Sequence, residues 1–186
     1  MEAHNEFMPE FVDPAVAYQS AFLHAWDDFA AAGEEAADLT GAWSSRNILY
    51  TRDMLANRDG FATLVGDLLA DRSDIPETSS MVAHTALWWM DRHRWLGRVS
   101  IRHELTVGLW EVGGHIGYSV RPSDRSRGHA TAILAASLPY AANLGIDEVL
   151  VTCDVDNVAS RKTIEANGGV LDDERHGKLR YWISTD

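Results

Sequence analysis

The sequence of 186 residues holds a single cysteine. An internal disulfide needs two and a cysteine-type zinc site more, so both are excluded. Lysine is nearly absent, with 2 residues against 14 arginines. Basic side chains are outnumbered 28 to 16 by acidic ones, for a net charge of -12. Phosphate backbones and anionic membranes are both held by clustered Lys and Arg, so neither nucleic acid nor a membrane surface is an expected partner. No apolar run approaches the ~18 residues of a membrane span. The opening Met1-Glu2-Ala3-His4-Asn5-Glu6 lacks the basic-then-apolar order of a signal peptide, and a cytoplasmic location is the expectation. Repeats of roughly 20–50 residues are missing, as are linker-like Pro/Gly/Ser stretches. The 8 histidines show no His-Glu-x-x-His or similar spacing, so no metal is expected.

What is present suits one globular domain over residues 1–186, 46% hydrophobic and long enough to bury a core unaided. The charge is uneven. Residues 1–90 carry 15 acids and 4 bases, residues 91–186 carry 13 acids and 12 bases. The two halves are therefore expected to face different partners.

The segment Arg72–Ser80 reads as a loop dividing a helical part, 14–80, from a mixed part, 81–186. Asp13-Pro14 reads as a helix cap followed by proline at the first helical position. Tyr18, Phe22, Trp26 and Phe29 follow at helical spacing, and Gly33 ends that helix. A second helix is predicted from about Asp59 to Ala70, with Phe61, Leu64, Val65, Leu68 and Leu69 inward. Met81–Met90 and Trp95–His103 read as a hairpin around Asp91–Arg94, and His115–Val120 as a third strand. Ala130–Leu144 reads as a helix stopped by Gly145, Val149–Cys153 as a buried strand, and Ala159–Ala166 as a helix stopped by Asn167-Gly168-Gly169. Val170–Ser184 reads as two strands around His176-Gly177. This order predicts an α/β fold with a mixed sheet.

One stretch carries chemistry. Arg121-Pro122-Ser123-Asp124-Arg125-Ser126-Arg127-Gly128-His129-Ala130-Thr131 joins a strand ending at Val120 to a helix. It has the form Arg-x-x-Gly-x-Ala. Helix-opening N–H groups lack internal partners and carry the positive end of the dipole, so they suit a phosphate or pyrophosphate. Gly128 and Ala130 allow close approach, and Arg125 and Arg127 add charge. Neither a Walker loop nor the three-glycine dinucleotide fingerprint is present. A second turn, Asp154-Val155-Asp156-Asn157-Val158-Ala159-Ser160, again joins strand to helix, and its Asn157 and Ser160 can bond free backbone groups.

Together these two turns resemble the GNAT superfamily of acyl-CoA-dependent N-acyltransferases. The strings Ile101-Arg102-His103, Gly113-Gly114-His115-Ile116-Gly117-Tyr118 and Val151-Thr152-Cys153-Asp154 look like one bacterial branch of acetyltransferases. The resemblance implies a mixed, mostly antiparallel sheet with splayed central strands flanked by helices. It implies an acetyl-CoA site from Tyr118, Ser119 and Val120, from Arg125 to Thr131 (Arg125, Ser126, Arg127, Gly128, His129, Ala130, Thr131), and from Asn157, Ser160 and Lys162. A homodimer through the terminal strands is common in that family. Two positions depart from its pattern. Ile164 stands where a tyrosine would reprotonate the leaving thiolate, and Gly168-Gly169 replaces Gly-Phe.

The implied reaction is direct attack of an amine on acetyl-CoA, with a backbone N–H at the end of the Val120 strand polarising the thioester carbonyl. The ammonium must first lose a proton. His115 is the first candidate base, since its ordinary pKa suits the task. Glu104, His103 and Glu111 follow. Cys153 ends the second splayed strand, but the resemblance favours direct transfer over a covalent intermediate. Trp88, Trp89, Trp95 and Trp110 offer either core packing or a cation–π surface. The expected acceptor is a small cationic amine drawn to the acidic helical half. A protein N-terminus or lysine is the alternative acceptor, and a CoA-binding module without turnover is the alternative role.

Overall fold

The computed structural model describes residues 8–34 and 45–186. A short strand, β1 (Glu10–Val12), precedes a 3-10 turn at Val16–Tyr18 and the helix α1 (Gln19–Ala31). The aromatic stripe does what its spacing predicts. Phe22, Trp26 and Phe29 are buried on one face of α1 together with Ala25. The helix closes at Gly33, whose positive φ of 75° lets Gly33 N–H reach Ala30 O and Glu34 N–H reach Phe29 O. The start differs from the Asp13-Pro14 reading. The chain is extended at Ala15, which precedes the 3-10 turn, and the Asp13 carboxylate instead pairs with Arg72. An ion pair from beyond the second long helix has taken the side chain that would have capped the first.

Two helices follow, α2 (Arg52–Ala56) and α3 (Arg58–Ala70). The first is too short to show a period. It is capped by Thr51, which accepts from Met54 N–H. The two pack so closely that a Cβ on Gly60 would lie 2.2 Å from Met54 O. On α3 the residues Phe61, Leu64, Val65 and Leu68 are buried. Leu69, expected inward, is 37% exposed, because it lies about 100° round the helix from Leu68.

The strands β2 (His84–Asp91), β3 (Arg94–Arg102) and β4 (Ile116–Val120) form an antiparallel sheet in the order β1-β2-β3-β4. β2 begins at His84, three residues later than Met81. Both of its faces are covered. Trp88 and Met90 join Phe22, Phe29, Phe61 and Trp95 in a core under α1 and α3. Leu87 and Trp89 join a second core with Val99, Ile133 and Tyr181. A strand buried on two faces reads as a continuous apolar run, as this one does. The tryptophans are thus packing residues, and Trp110 pairs separately with Trp182 at 5.4 Å.

The helix α4 (His129–Asn143), strand β5 (Glu148–Asp154), helix α5 (Val158–Ala166) and hairpin β6 (Val170–Arg175) with β7 (Lys178–Ser184) complete the fold. The second sheet has the order β5-β7-β6, all antiparallel. The two sheets share no ladder, so β4 and β5 are splayed as expected. Among the described residues, no helix is long and apolar enough to cross a membrane.

Candidate active site

A cleft of about 710 Å³ opens between β4, the start of α4 and the start of α5. Tyr118, Ser119 and Val120 line it from the strand. Arg125, Ser126, Gly128, His129, Ala130 and Thr131 line it from the loop and helix, and Asn157 and Ser160 from the second turn. Two expected members lie elsewhere. Lys162 is exposed on α5 away from the cleft, and Arg127 points outward to pair with Asp124 at 3.3 Å.

The loop is curled by two left-handed residues, Ser126 with φ 60° and Gly128 with φ 81°. From Ser126 to Thr131 no backbone N–H has an acceptor among the described residues; the next donor, Ala132 N–H, bonds Gly128 O. Such a run of convergent donors at a helix start is an anion cradle. The arginine reading needs correction. The Arg125 guanidinium grips both carboxylate oxygens of Glu34 at 2.6 and 2.7 Å and donates to Val120 O at 3.1 Å. Its work is to brace the loop against the end of α1, and the free donors are backbone. The fully buried Asp124 anchors the same loop by accepting from Arg94 at 2.9 Å.

Across the cleft, Tyr118 Oη and Ser160 Oγ lie 2.9 Å apart, and Asn157 Oδ1 accepts from Ser160 N–H at 3.0 Å. Burial pushes the Tyr118 phenol up, so it keeps its proton. Burial likewise pushes the Cys153 thiol up, which disfavours a thiolate nucleophile. Ile164 is fully buried in the second core. Among the described residues no group of three or more His, Cys, Asp or Glu is arranged to hold a metal ion.

The expected bases have other partners. His115 is the latch between the two sheets. Its N–H donates to Leu150 O at 2.7 Å, its ring Nδ1 accepts from Leu150 N–H at 2.8 Å, and its carbonyl accepts from Arg102 N–H. Burial, then the nearby Arg102 charge, pushes its pKa down to about 4. Glu111 pairs with Arg175 at 3.0 Å and faces the β6–β7 hairpin. Glu104 is exposed beyond the end of β3. His103 bonds Thr85 Oγ1 at 2.9 Å. None of the four lines the cleft or the pocket described next.

That pocket, of about 580 Å³, lies on the other side of β4, between α3 and the face of β2 and β3. Sequence reasoning missed its polar lining. Asp67 lies in the last turn of α3 and Asp71 is the cap residue that follows it, and Tyr50, His84, Arg98 and Arg102 surround them. Tyr50 donates to Asp67, and burial followed by that carboxylate holds its hydroxyl protonated. Asp71 accepts from Ser45 and from Arg46, each at 2.5 Å, and Arg46 also reaches Asp67 at 3.4 Å. His84 donates from Nδ1 to Val82 O at 3.1 Å, which leaves Nε2 as a bare acceptor 3.8 Å from Asp71 Oδ2. Burial lowers its pKa below the ordinary 6.5. With three arginines around two carboxylates, the pocket is not the acidic surface that the charge of residues 1–90 suggests. One signal for it was available: polar Arg98, Ser100 and Arg102 alternate along an otherwise apolar strand.

Comparison with known proteins bears on the family and the fold. A family model described as an acetyltransferase (GNAT) domain matches residues 35–170. No curated protein matches the sequence. Among solved structures, the microcin C7 self immunity acetyltransferase MccE, in complex with acetyl-CoA and AMP, superposes with TM-score 0.61 at 13% identity, covering 97% of this chain and 93% of that one. RimJ of Mycobacterium smegmatis, in complex with CoA-disulfide, gives 0.62 at 16% identity over 94% and 80%. The ribosomal-protein-S5-alanine acetyltransferase of Vibrio fischeri gives 0.62 at 11% over 96% and 93%. At these identities the likeness is one of fold. With the family model spanning most of the chain, the chain belongs to the GNAT acetyltransferase family and is an acyltransferase that uses acetyl-CoA.

Proposed function

We propose that the protein acetylates a primary amine of a small molecule held in the pocket beneath α3, with acetyl-CoA in the cleft across β4. One observation carries this reading: an anion cradle and a polar pocket lie on opposite sides of a single splayed strand, with Gly117 lining the pocket and Tyr118 the cleft. Acetyl-CoA supplies the activated acetyl thioester. The N–H groups of residues 126–131 hold its phosphates, and Gly128 keeps their surface open, since a Cβ there would meet nothing within 4 Å. β4 is the edge of its sheet, so alternate N–H groups face the splay and are available to a carbonyl oxygen.

The proton acceptor in this reading is His84. Its Nε2 is bare, its lowered pKa keeps it neutral at pH 7, and the Asp71 carboxylate stabilises the imidazolium once formed. His115, with Nδ1 committed to Leu150, keeps the strands joined. Tyr118 Oη, protonated and set beside Ser160, supplies the hydroxyl proton that Ile164 cannot. A pocket of about 580 Å³ suits a small acceptor. The ribosomal-protein acetyltransferase among the structural neighbours makes a peptide N-terminus the second reading. The exposed Val170 and Leu171 on the edge strand β6 suit a homodimer. The test is CoA release, followed with a thiol-reactive dye, over a panel of small amines and N-terminal peptides. Release with small amines alone is expected. Release with peptides alone would replace the first reading by the second, and CoA binding without release on any acceptor would overturn both.

A further inference from the structure

The proposed acceptor pocket contains a cation, Arg102, with no charge partner among the described residues. On β3, Arg98, Ser100 and Arg102 alternate, so all three face the pocket. Arg102 uses one nitrogen structurally: Nη1 donates to Gly113 O at 3.0 Å and to Gly114 O at 2.9 Å. Its Nε and Nη2 have no hydrogen-bond partner, and no carboxylate pairs with it, among the described residues. The carboxylates of the pocket are engaged elsewhere, Asp71 with Ser45 and Arg46 and Asp67 with Tyr50 and Arg46. Burial alone shifts the Arg102 pKa, and it shifts it down; no acidic neighbour pulls it back. A guanidinium drawn away from water without a partner is costly and is normally compensated.

The free edge is the one that grips oxyanions. Elsewhere in this protein Arg52 presents Nε and Nη2 to the two oxygens of Asp27, and Arg94 presents the same pair of nitrogens to Asp124. Opposite Arg102 Nη2 the facing strand places Gly117, whose missing side chain leaves that nitrogen uncovered: a Cβ there would stand against it in van der Waals contact, at 3.7 Å. Position matters as much as chemistry. Arg102 is the direct cross-strand partner of His84, and such pairs set their Cβ atoms about 5 Å apart.

We propose that the acceptor is a compact amino acid-like molecule whose amine lies at His84 while its own oxyanion, a carboxylate or phosphate, is gripped by Arg102 Nε and Nη2 with Arg98 alongside. The proposal rests on the acetyl-transfer reading above and narrows it, from an amine to an amine a few bonds from an anionic group. The alternation of cation and base along one strand pair sets the spacing.

The experiment compares matched acceptors on the wild-type protein. Amino acids are set against their carboxamides, and ethanolamine phosphate against ethanolamine. Both kcat/KM by CoA release and binding by calorimetry to the CoA-saturated protein are measured. The charged member of a pair is expected to be favoured about 100-fold, the worth of a charge-assisted bond in a desolvated site. Preference in the amino acid pair alone names carboxylate, and in the phosphate pair alone names phosphate. In Arg102→Gln the preference should fall to about one, with Arg102→Lys between. Because Arg102 also holds the Gly113 and Gly114 carbonyls, thermal melting of each variant is read, and Arg98→Gln provides a second variant that leaves those bonds intact. Turnover and binding equal for charged and uncharged members would overturn the oxyanion site while leaving amine acetylation standing. Anion-dependent binding without release of CoA from any amine would keep the site and overturn the acetyl-transfer reading.

Discussion

The two sides of β4 present different chemistry to a ligand. In the cofactor cleft the donors are backbone N–H groups from one continuous stretch, 126–131, and the charged side chains around them serve as braces: Arg125 on Glu34, Arg94 and Arg127 on Asp124. In the proposed acceptor pocket the polar groups are side chains from α3 and its cap, β2, β3 and the segment before α2. A backbone cradle tolerates side-chain variation provided the curl survives. A side-chain pocket changes specificity with each substitution. The proposed function thus combines a fixed cofactor grip with a variable acceptor grip, and the difference can be tested at both ends.

The largest effect is expected from Gly128→Glu. The cleft is open at this position, so the added carboxylate reaches into the anion cradle, and φ of 81° adds strain. The KM for acetyl-CoA should rise at least about 100-fold, from repulsion of the phosphates. Gly128→Ala, carrying only the strain, should change KM far less; an equal effect of the two would mean that backbone shape, not anion contact, sets affinity. On the other side, His84→Gln should lower kcat/KM about 100-fold. A base must be deprotonated, so the wild-type rate should fall as pH drops through the His84 pKa, which lies below 6.5. An acidic limb that survives in the variant would assign the base elsewhere.

A smaller change is expected at Tyr118→Phe, about tenfold in kcat, with the KM for acetyl-CoA little altered. A rise in KM alone would make the hydroxyl a binding group. The smallest effect on rate, and a clear effect on stability, is expected at His115→Ala. Its folded pKa of about 4 lies below the ordinary 6.5. The stability it contributes is therefore complete above pH 6.5 and is lost as pH falls from 6.5 toward 4. The variant should melt a few degrees lower at pH 7, about 2–4 °C for each kcal/mol in a chain of this size. The gap should close at low pH in melts followed by circular dichroism. A variant that melts like the wild type at pH 7 would remove the His115 ring from the latch and leave its backbone bonds.

What could be read in advance follows the same division. Arg125-x-x-Gly128-x-Ala130 is local, and a strand–loop–helix junction of that composition has few ways to fold. Phe22, Trp26 and Phe29 on α1, and the hairpin around Asp91–Arg94, were legible because a period of 3.6 or 2 is written in consecutive residues. Leu69 was placed wrongly because a five-residue inward set overfills one helical face. Asp13 was misread as a cap because its true partner, Arg72, lies 59 positions away in the chain.

The sequence alone determined the longer helices, the strands from β2 onward, the backbone cradle and the family resemblance they carry, because each depends on neighbours within a turn or two of chain; the short β1 and α2 carried no such pattern. Tertiary structure alone decided the rest. It turned His115 from a base into a strand latch by bringing Leu150 to it, and turned Arg125 from an anion ligand into a brace by bringing Glu34. It also set His84 opposite Arg102 on the floor of a pocket. Hydrogen bonds and charges act over a few ångströms, and residues that distant in the chain become neighbours only when the sheets close.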